Sequence, residues 1–316
     1  GIRSARGLAR AVFDTEPPRA LMAGMAAHSF LPADTAGTAG FALVLGLCGH
    51  AYGWPMVRGG SQRLTDALVA HLRSLGGELR TGSAVRALDE LADSRSVLFD
   101  VSPRQLLDIT GVELPAAYRR RLARFPLGPG VFKIDAALSG PIPWAAPECR
   151  RAGTVHVGGT MDEVARSEAA VAAGRPPEKP FVIVAQQSLF DASRAPTGKH
   201  TAWMYCHVPN GSTRDMTEAI ESQMERFAPG YRDVVIARHT SGPAALESYN
   251  ANLRGGDIGG GVQDLRHQFA RPVARLSPYT TPDPRLYICS ASTPPGGGVH
   301  GMCGHHAART VLRRTR

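Results

Sequence analysis

Leu64, Leu68, Leu72 and Leu75 recur at three- and four-residue spacing between Ser61 and Leu75, which predicts a helix with one apolar face. Gly76-Gly77 ends it, because glycine tolerates the left-handed conformation at a helix C-terminus. Upstream, Ala- and Gly-rich stretches predict helices over Arg3–Phe13, Arg19–His28 and Thr38–Leu47. Downstream, short strands are expected at Glu78–Arg80 and Ala84–Leu88, and a buried one at Val97–Val101. From about Leu114 the texture changes. Strand-like runs at Val131–Leu138, Phe181–Gln187, Thr201–Val208 and Val234–His239 alternate with helical stretches. Met216, Ile220, Met224 and Phe227 share one face of a helix over Asp215–Phe227, with Ser212 and Asp215 as a candidate capping box. The chain closes with a strand at Leu286–Ser290, a glycine turn and a helix.

With 316 residues, 43% of them hydrophobic, the chain can bury a large core and more than one domain. A net charge of +9 raises the question of a polyanion partner. Only three of the 36 basic residues are lysine, however (Lys133, Lys179 and Lys199), and such a skew reflects a GC-rich genome more often than a binding surface. The clusters Arg119–Arg121 with Arg124, and Arg309, Arg313, Arg314 and Arg316, lack the interleaved aromatics on which bases stack. No nucleic-acid role is expected. The five scattered cysteines have no disulfide-like spacing, which points to a reducing, cytoplasmic compartment. The apolar run Thr38–Cys48 is too short to cross a bilayer and reads as a buried helix or packed loop. The first residue is Gly1, not Met, and the chain starts within a helical pattern, so a fragment is expected.

The segment from Leu286 to Ala308 carries the most chemistry. An apolar strand enters a glycine turn, then a helix whose Gly301, Gly304 and Ala308 leave one side open to close approach. Free amides at such a helix start favour negative charge, as on the pyrimidine edge of a reduced flavin. Gly296-x-Gly298-x-x-Gly301 matches the dinucleotide fingerprint by letter. A primary nucleotide loop would need another strand and an acidic residue about 20 positions on, which the sequence after Gly301 does not supply. His300, Cys303, His305, His306 and Cys289 invite a metal reading, but a Gly-rich helix start does not splay them as ligand pairs, so no metal site is expected.

Gly53-Trp54-Pro55, Arg58-Gly59-Gly60-Ser61-Gln62, Leu75-Gly76-Gly77-Glu78, Thr81-Gly82 and Val85 together resemble the second FAD-contacting segment of the phytoene desaturase-like oxidoreductases. Cys289–Gly304 resembles that family's flavin-covering turn, and Gly128–Asp135, Gly153–Gly159 and Gly255–Ile258 resemble blocks of its substrate domain. The family lies in the FAD-binding amine oxidase-type superfamily. The resemblance implies an α/β (α+β) fold: an incomplete FAD-binding Rossmann-like domain with an inserted mixed-sheet substrate domain. It lays out residues 1–53 as a helical part of the substrate domain and 54–111 as the middle of the FAD domain. Residues 112–274 would form the substrate domain and 275–316 the end of the FAD domain.

By the same resemblance, FAD is the cofactor. Gly59 and Gly60 belong to the cofactor-contacting segment, the backbone of Val85 pairs with the adenine edge, and Ser102-Pro103 lies near the nucleotide end. Ser292, Gly296, Gly297, Gly298, Val299 and Gly301 belong to the turn at the flavin. His300 is a catalytic candidate as a proton-exchanging group beside that edge, and Asp257 either lines the substrate side or caps a turn. The N-terminal strand, Gly-x-Gly-x-x-Gly turn and ribose-binding acid of the family are not seen upstream of Gly59, so the chain by itself is expected to be unstable or inactive. The expected reaction is desaturation or isomerisation of a small apolar, polyene-like molecule. A membrane-peripheral location would suit a long polyene, although no amphipathic anchor stands out. The alternatives are an amine-oxidase-like flavoenzyme and a non-catalytic scaffold that keeps the fold without cofactor.

Overall fold

Small residues at the helix contacts shape the N-terminal region. The computed structural model describes residues 1–315 and opens with α1 (Ala5–Val12), α2 (Glu16–Ala27), α3 (Thr38–Tyr52) and α4 (Gln62–Ser74). Ala5, Ala9, Ala23, Ala26, Ala27, Ala39 and Ala42 are all buried, so these backbones approach closely. Strand β1 (Val97–Phe99) leads into α5 (Pro103–Asp108) and α6 (Ala116–Ala123). Next come β2 (Gly130–Leu138), β3 (Thr154–Val157), α7 (Met161–Ala172), β4 (Val182–Ala185) and β5 (His200–Val208). They are followed by α8 (Thr217–Phe227), α9 (Tyr231–Val234), β6 (Val235–Ser241), α10 (Pro243–Tyr249) and α11 (Leu265–Phe269). β7 (Leu286–Ile288) and α12 (Met302–Arg314) close the chain.

The architecture is α/β, with one parallel strand pair and one antiparallel sheet. The five-stranded sheet runs β3-β4-β5-β2-β6, with every neighbour antiparallel. Because side chains alternate along a strand, Phe132, Ile134, Ala136, Ala202, Met204 and Cys206 fall on one face. There they pack against Met216, Ile220 and Met224 of α8. Ile183 with Trp203 and Tyr205 faces the other way, and α1, α2, α3 and Met161 and Val164 of α7 cover part of that face. A separate core surrounds the parallel pair β1–β7, where Leu106, Val112, Leu114, Tyr118 and Leu122 pack on Val97, Phe99, Leu286 and Ile288.

The four expected strands of the antiparallel sheet form with their ends shifted by one or two residues. Other expectations need correction. Glu78–Arg80 and Ala84–Leu88 are not strands; only an isolated bridge, Ala87 to Thr110, appears there. A strand needs a neighbouring edge, and this stretch has none among the described residues. The capping box of Ser212 and Asp215 does not form: Ser212 accepts from the Arg214 N–H and Asp215 from the Thr217 N–H, each a local turn. Helix α3 is only partly buried, since Leu43, Val44 and Leu47 are exposed. The leucine face of α4 is likewise exposed, with Leu68 at 64%.

Candidate functional site

β1 and β7 run parallel in register, so their carboxyl ends meet on one side of the molecule. The Cys289 N–H donates to Phe99 O (3.0 Å), which extends the pairing to the point where both chains turn away. In open α/β sheets that edge is where ligands settle. Each strand there enters a turn and then a helix. After β1, Ser102 caps α5: its Oγ accepts from the Gln105 N–H (3.4 Å), while the Gln105 side chain accepts from the Ser102 N–H (2.9 Å). Pro103 is buried at the first turn of α5, a position where its missing N–H costs nothing. Asn252 braces the turn by donating to Asp100 O (2.8 Å).

After β7, the Thr293 N–H and Oγ1 both bond to Ser290 O (2.9 and 2.8 Å), and the Gly296 N–H bonds to Thr293 O (2.9 Å). The backbone then swings outward. Gly296 (φ 105°) and Gly298 (φ 148°) take conformations that L side chains rarely adopt. A Cβ on Gly297 would lie 2.9 Å from Gly259 O, so two glycine segments touch backbone to backbone. The amides of Gly297, Gly298, Val299 and His300 donate to no described residue, and residues 298–302 are exposed. They stand just ahead of α12 as an open row of donors. The region around Gly301 and Gly304 is open too, with nothing within 4 Å of a Cβ at either position. Val299 points outward, 92% exposed. His300 Nδ1 accepts from the Met302 N–H (3.0 Å), so this ring serves the start of α12.

Behind the turn lies a buried charged layer. Asp257 accepts from the N–H groups of Gly128 (2.7 Å), Gly259 (2.8 Å), Gly260 (3.1 Å) and Gly261 (2.8 Å). It therefore gathers the start of β2 and the loop 257–261 onto one carboxylate, the capping role of the two considered for it. Burial lifts its carboxyl above the usual range, and the four amides oppose that shift. Arg271 is wholly buried. Its Nη2 donates to Gly260 O (2.7 Å), which also accepts from Ser292 Oγ (3.0 Å). Its Nε and Nη1 have no partner among the described residues. A Cβ on Gly296 would lie 2.9 Å from that Nη1. Burial lowers the guanidinium's proton affinity, with Asp257 opposing. Cys303 Sγ lies 3.4 Å from both Thr293 O and Gly296 O, and burial pushes the Cys289 thiol up to about 12.

Of the expected site residues, the structure brings together Ser102, Pro103, Ser292 and Gly296–Gly301 at the carboxyl ends of β1 and β7. Gly59 and Gly60 are held elsewhere: the Gly59 N–H donates to Asp191 (2.6 Å), and Arg194 Nη1 donates to Gly59 O (3.0 Å). Val85 is half-exposed and outside any strand, so the strand expected to carry its backbone contact is absent. Arg271 escaped the sequence reading because one arginine in an arginine-rich chain gives no signal. A second buried polar cluster also escaped it. His28 Nε2 lies 2.9 Å from His156 Nε2, and His207 Nδ1 lies 2.8 Å from Glu168 Oε2. Burial, reinforced by His156 and His207, pushes His28 down to about 3, and burial pushes His156 to about 4.

No family model matches the chain. In sequence, it is 27% identical to the pyridine nucleotide-disulfide oxidoreductase domain-containing protein 2 of Rattus norvegicus, over 95% of this chain and 59% of that protein. It is 28% identical to the Mus musculus counterpart over the same shares, and 26% identical to an uncharacterized protein of Mycobacterium tuberculosis over 82% and 55%. The chain thus spans less than two thirds of the length of these relatives. In fold, it resembles an oxidoreductase from Methanosarcina mazei (TM-score 0.62, 14% identity, 99% of this chain and 68% of that one). It also resembles a putrescine oxidase (TM-score 0.60, 14% identity, 99% and 68%).

Proposed function

We propose that this chain, similar in sequence to a pyridine nucleotide-disulfide oxidoreductase domain-containing protein and in fold to solved oxidoreductases, forms the flavin-covering and substrate-binding parts of an FAD-dependent oxidoreductase. The observation that carries this reading is the row of unpartnered amides at Gly297–His300, backed by buried Arg271. When bound, FAD would accept two electrons and a hydrogen from an organic substrate. The amides ahead of α12 would hold the ring edge that gains negative charge, and the open surface at Gly301 and Gly304 would admit a flat ring. Ser102-Pro103 would lie toward the nucleotide end. On this assignment residues 54–111 and 275–316 serve the cofactor, and 1–53 and 112–274 serve the substrate.

The substrate we propose is a small apolar molecule that undergoes desaturation or isomerisation. A second reading, amine oxidation, has an observation in its favour. Asp135 on β2 registers with Trp203 on β5 and forms an ion pair with Lys133 (2.8 Å), on a part of the sheet that the helices leave half-exposed. A carboxylate beside an aromatic wall suits a cationic amine.

The cofactor test is direct. The protein in its full natural length is mixed with FAD and desalted, and its visible spectrum is recorded. Retained flavin that is lost in Gly297→Val, whose side chain would collide with Gly259 O, supports the site. A wild-type protein that retains none overturns it. Anaerobic addition of a polyene or a primary amine then separates desaturation from amine oxidation by which one bleaches the flavin band, and a redox-neutral isomerisation, which leaves the band unchanged, is read from the double-bond geometry of the recovered polyene.

A further inference from the structure

Arg271 is a fully buried cation with two nitrogens, Nε and Nη1, that have no partner among the described residues, in a molecule whose other buried polar groups are mostly satisfied. Leaving a buried donor unpaired is costly, so such a group calls for an explanation. Its surroundings are restrictive. Nη2 is fixed by Gly260 O, and the guanidinium lies over the Phe125 ring at 5.9 Å. Its nearest acidic neighbour by charge, Asp257, is occupied by four backbone amides and makes no ion pair with it among the described residues. What remains are Nε and Nη1, and Nη1 lies directly behind Gly296. There the lack of a side chain lets the guanidinium press against the turn whose next four amides donate to no described residue.

We propose that Arg271 is the buried counter-charge of the glycine turn: a positioning residue that holds the amides of 297–300 in place and stabilises negative charge delivered to them. The inference rests on the flavin reading above. Arg271 does not touch the ligand; it acts through the turn. In a low-dielectric setting its charge is felt across one layer of backbone far more strongly than in water. Oxidised flavin is neutral at its ring, whereas two-electron reduction with one proton leaves the pyrimidine edge anionic. Arg271 therefore favours the reduced form over the oxidised one and raises the flavin's electron affinity.

The test measures the two-electron midpoint potential and the FAD dissociation constant of the flavin-loaded, full-length protein and of Arg271→Met, Arg271→Gln and Arg271→Lys. For Arg271→Met the expected result is that reduced flavin is held about tenfold less tightly relative to oxidised flavin. That corresponds to a fall in potential of about 30 mV for a two-electron couple. Arg271→Lys keeps the charge and should recover most of the potential. Arg271→Gln, which keeps a donor for Gly260 O without the charge, should lower the potential as Met does. If Arg271→Met fails to fold, Arg271→Gln still decides. A wild-type potential in Arg271→Met or Arg271→Gln overturns the role of Arg271 and leaves the flavin site standing. A wild-type protein that binds no FAD overturns the flavin reading itself.

Discussion

Asp257 shows how much one side chain can organise. Four backbone N–H groups converge on its two oxygens, so removing the carboxylate strands several buried donors at once. Asp257→Ala should cost about 3 kcal/mol of unfolding free energy, because hydrogen bonds to charged groups are among the stronger ones and their orphaned partners pay desolvation. A shift in the urea midpoint at unchanged slope checks it; a change below about 0.5 kcal/mol would mean the loop holds without its carboxylate. His28 and His156 set a pH dependence. Their pKa values fall from 6.5 to about 3 and about 4 on folding. Between pH 6.5 and those values the unfolded state binds more protons, so their contribution is present above 6.5 and is lost as the pH falls. Thermal midpoints should decline from pH 6.5 toward 4, and His156→Gln should flatten that slope.

At the scale of the element, termini follow local rules that a sequence displays, whereas faces depend on neighbours. Helix α7 starts with a reciprocal capping box. Thr160 Oγ1 accepts from the Glu163 N–H (3.3 Å), and Glu163 accepts from the Thr160 N–H (2.9 Å). The Arg226 guanidinium and the Thr160 amide hold Glu163 down at about 2. Thr160→Ala should destabilise the protein by about 1 kcal/mol in urea unfolding, with Thr160→Ser close to wild type. The leucine periodicity of α4 was legible and the helix forms, yet its apolar face lies open. The strands expected at Glu78–Arg80 and Ala84–Leu88 were misread for a related reason: apolar content marks a segment as fit for an edge but does not provide the edge.

For the molecule as a whole, Leu43, Val44 and Leu47 on α3, Trp54, and Leu64, Leu68 and Leu72 on α4 put apolar surface into solvent along consecutive segments. Large exposed apolar areas bind hydrophobic dyes and promote association. The 316-residue chain should enhance ANS fluorescence in its native state, and Leu68→Lys with Leu72→Lys should reduce both that signal and light scattering. Unchanged fluorescence would place the dye elsewhere. The strand-like runs of the second half and the glycine turn could be read from the residues alone, because they rest on strand-forming side chains and on glycine's backbone freedom, both local properties; the α/β class came from the family resemblance, and the antiparallel pairing from the structure. Tertiary structure alone decided that the segments of Ser102-Pro103 and of Ser292 with Gly296–Gly301 follow the adjacent carboxyl ends of β1 and β7, while Gly59 and Gly60 dock on Asp191 and Arg194. Only folding could reveal Arg271 behind Gly296, His28 against His156 and His207 against Glu168, for these partners lie 25 to 128 positions apart. Burial and pairing at such separations depend on how sheets and helices stack, which no single stretch of sequence contains.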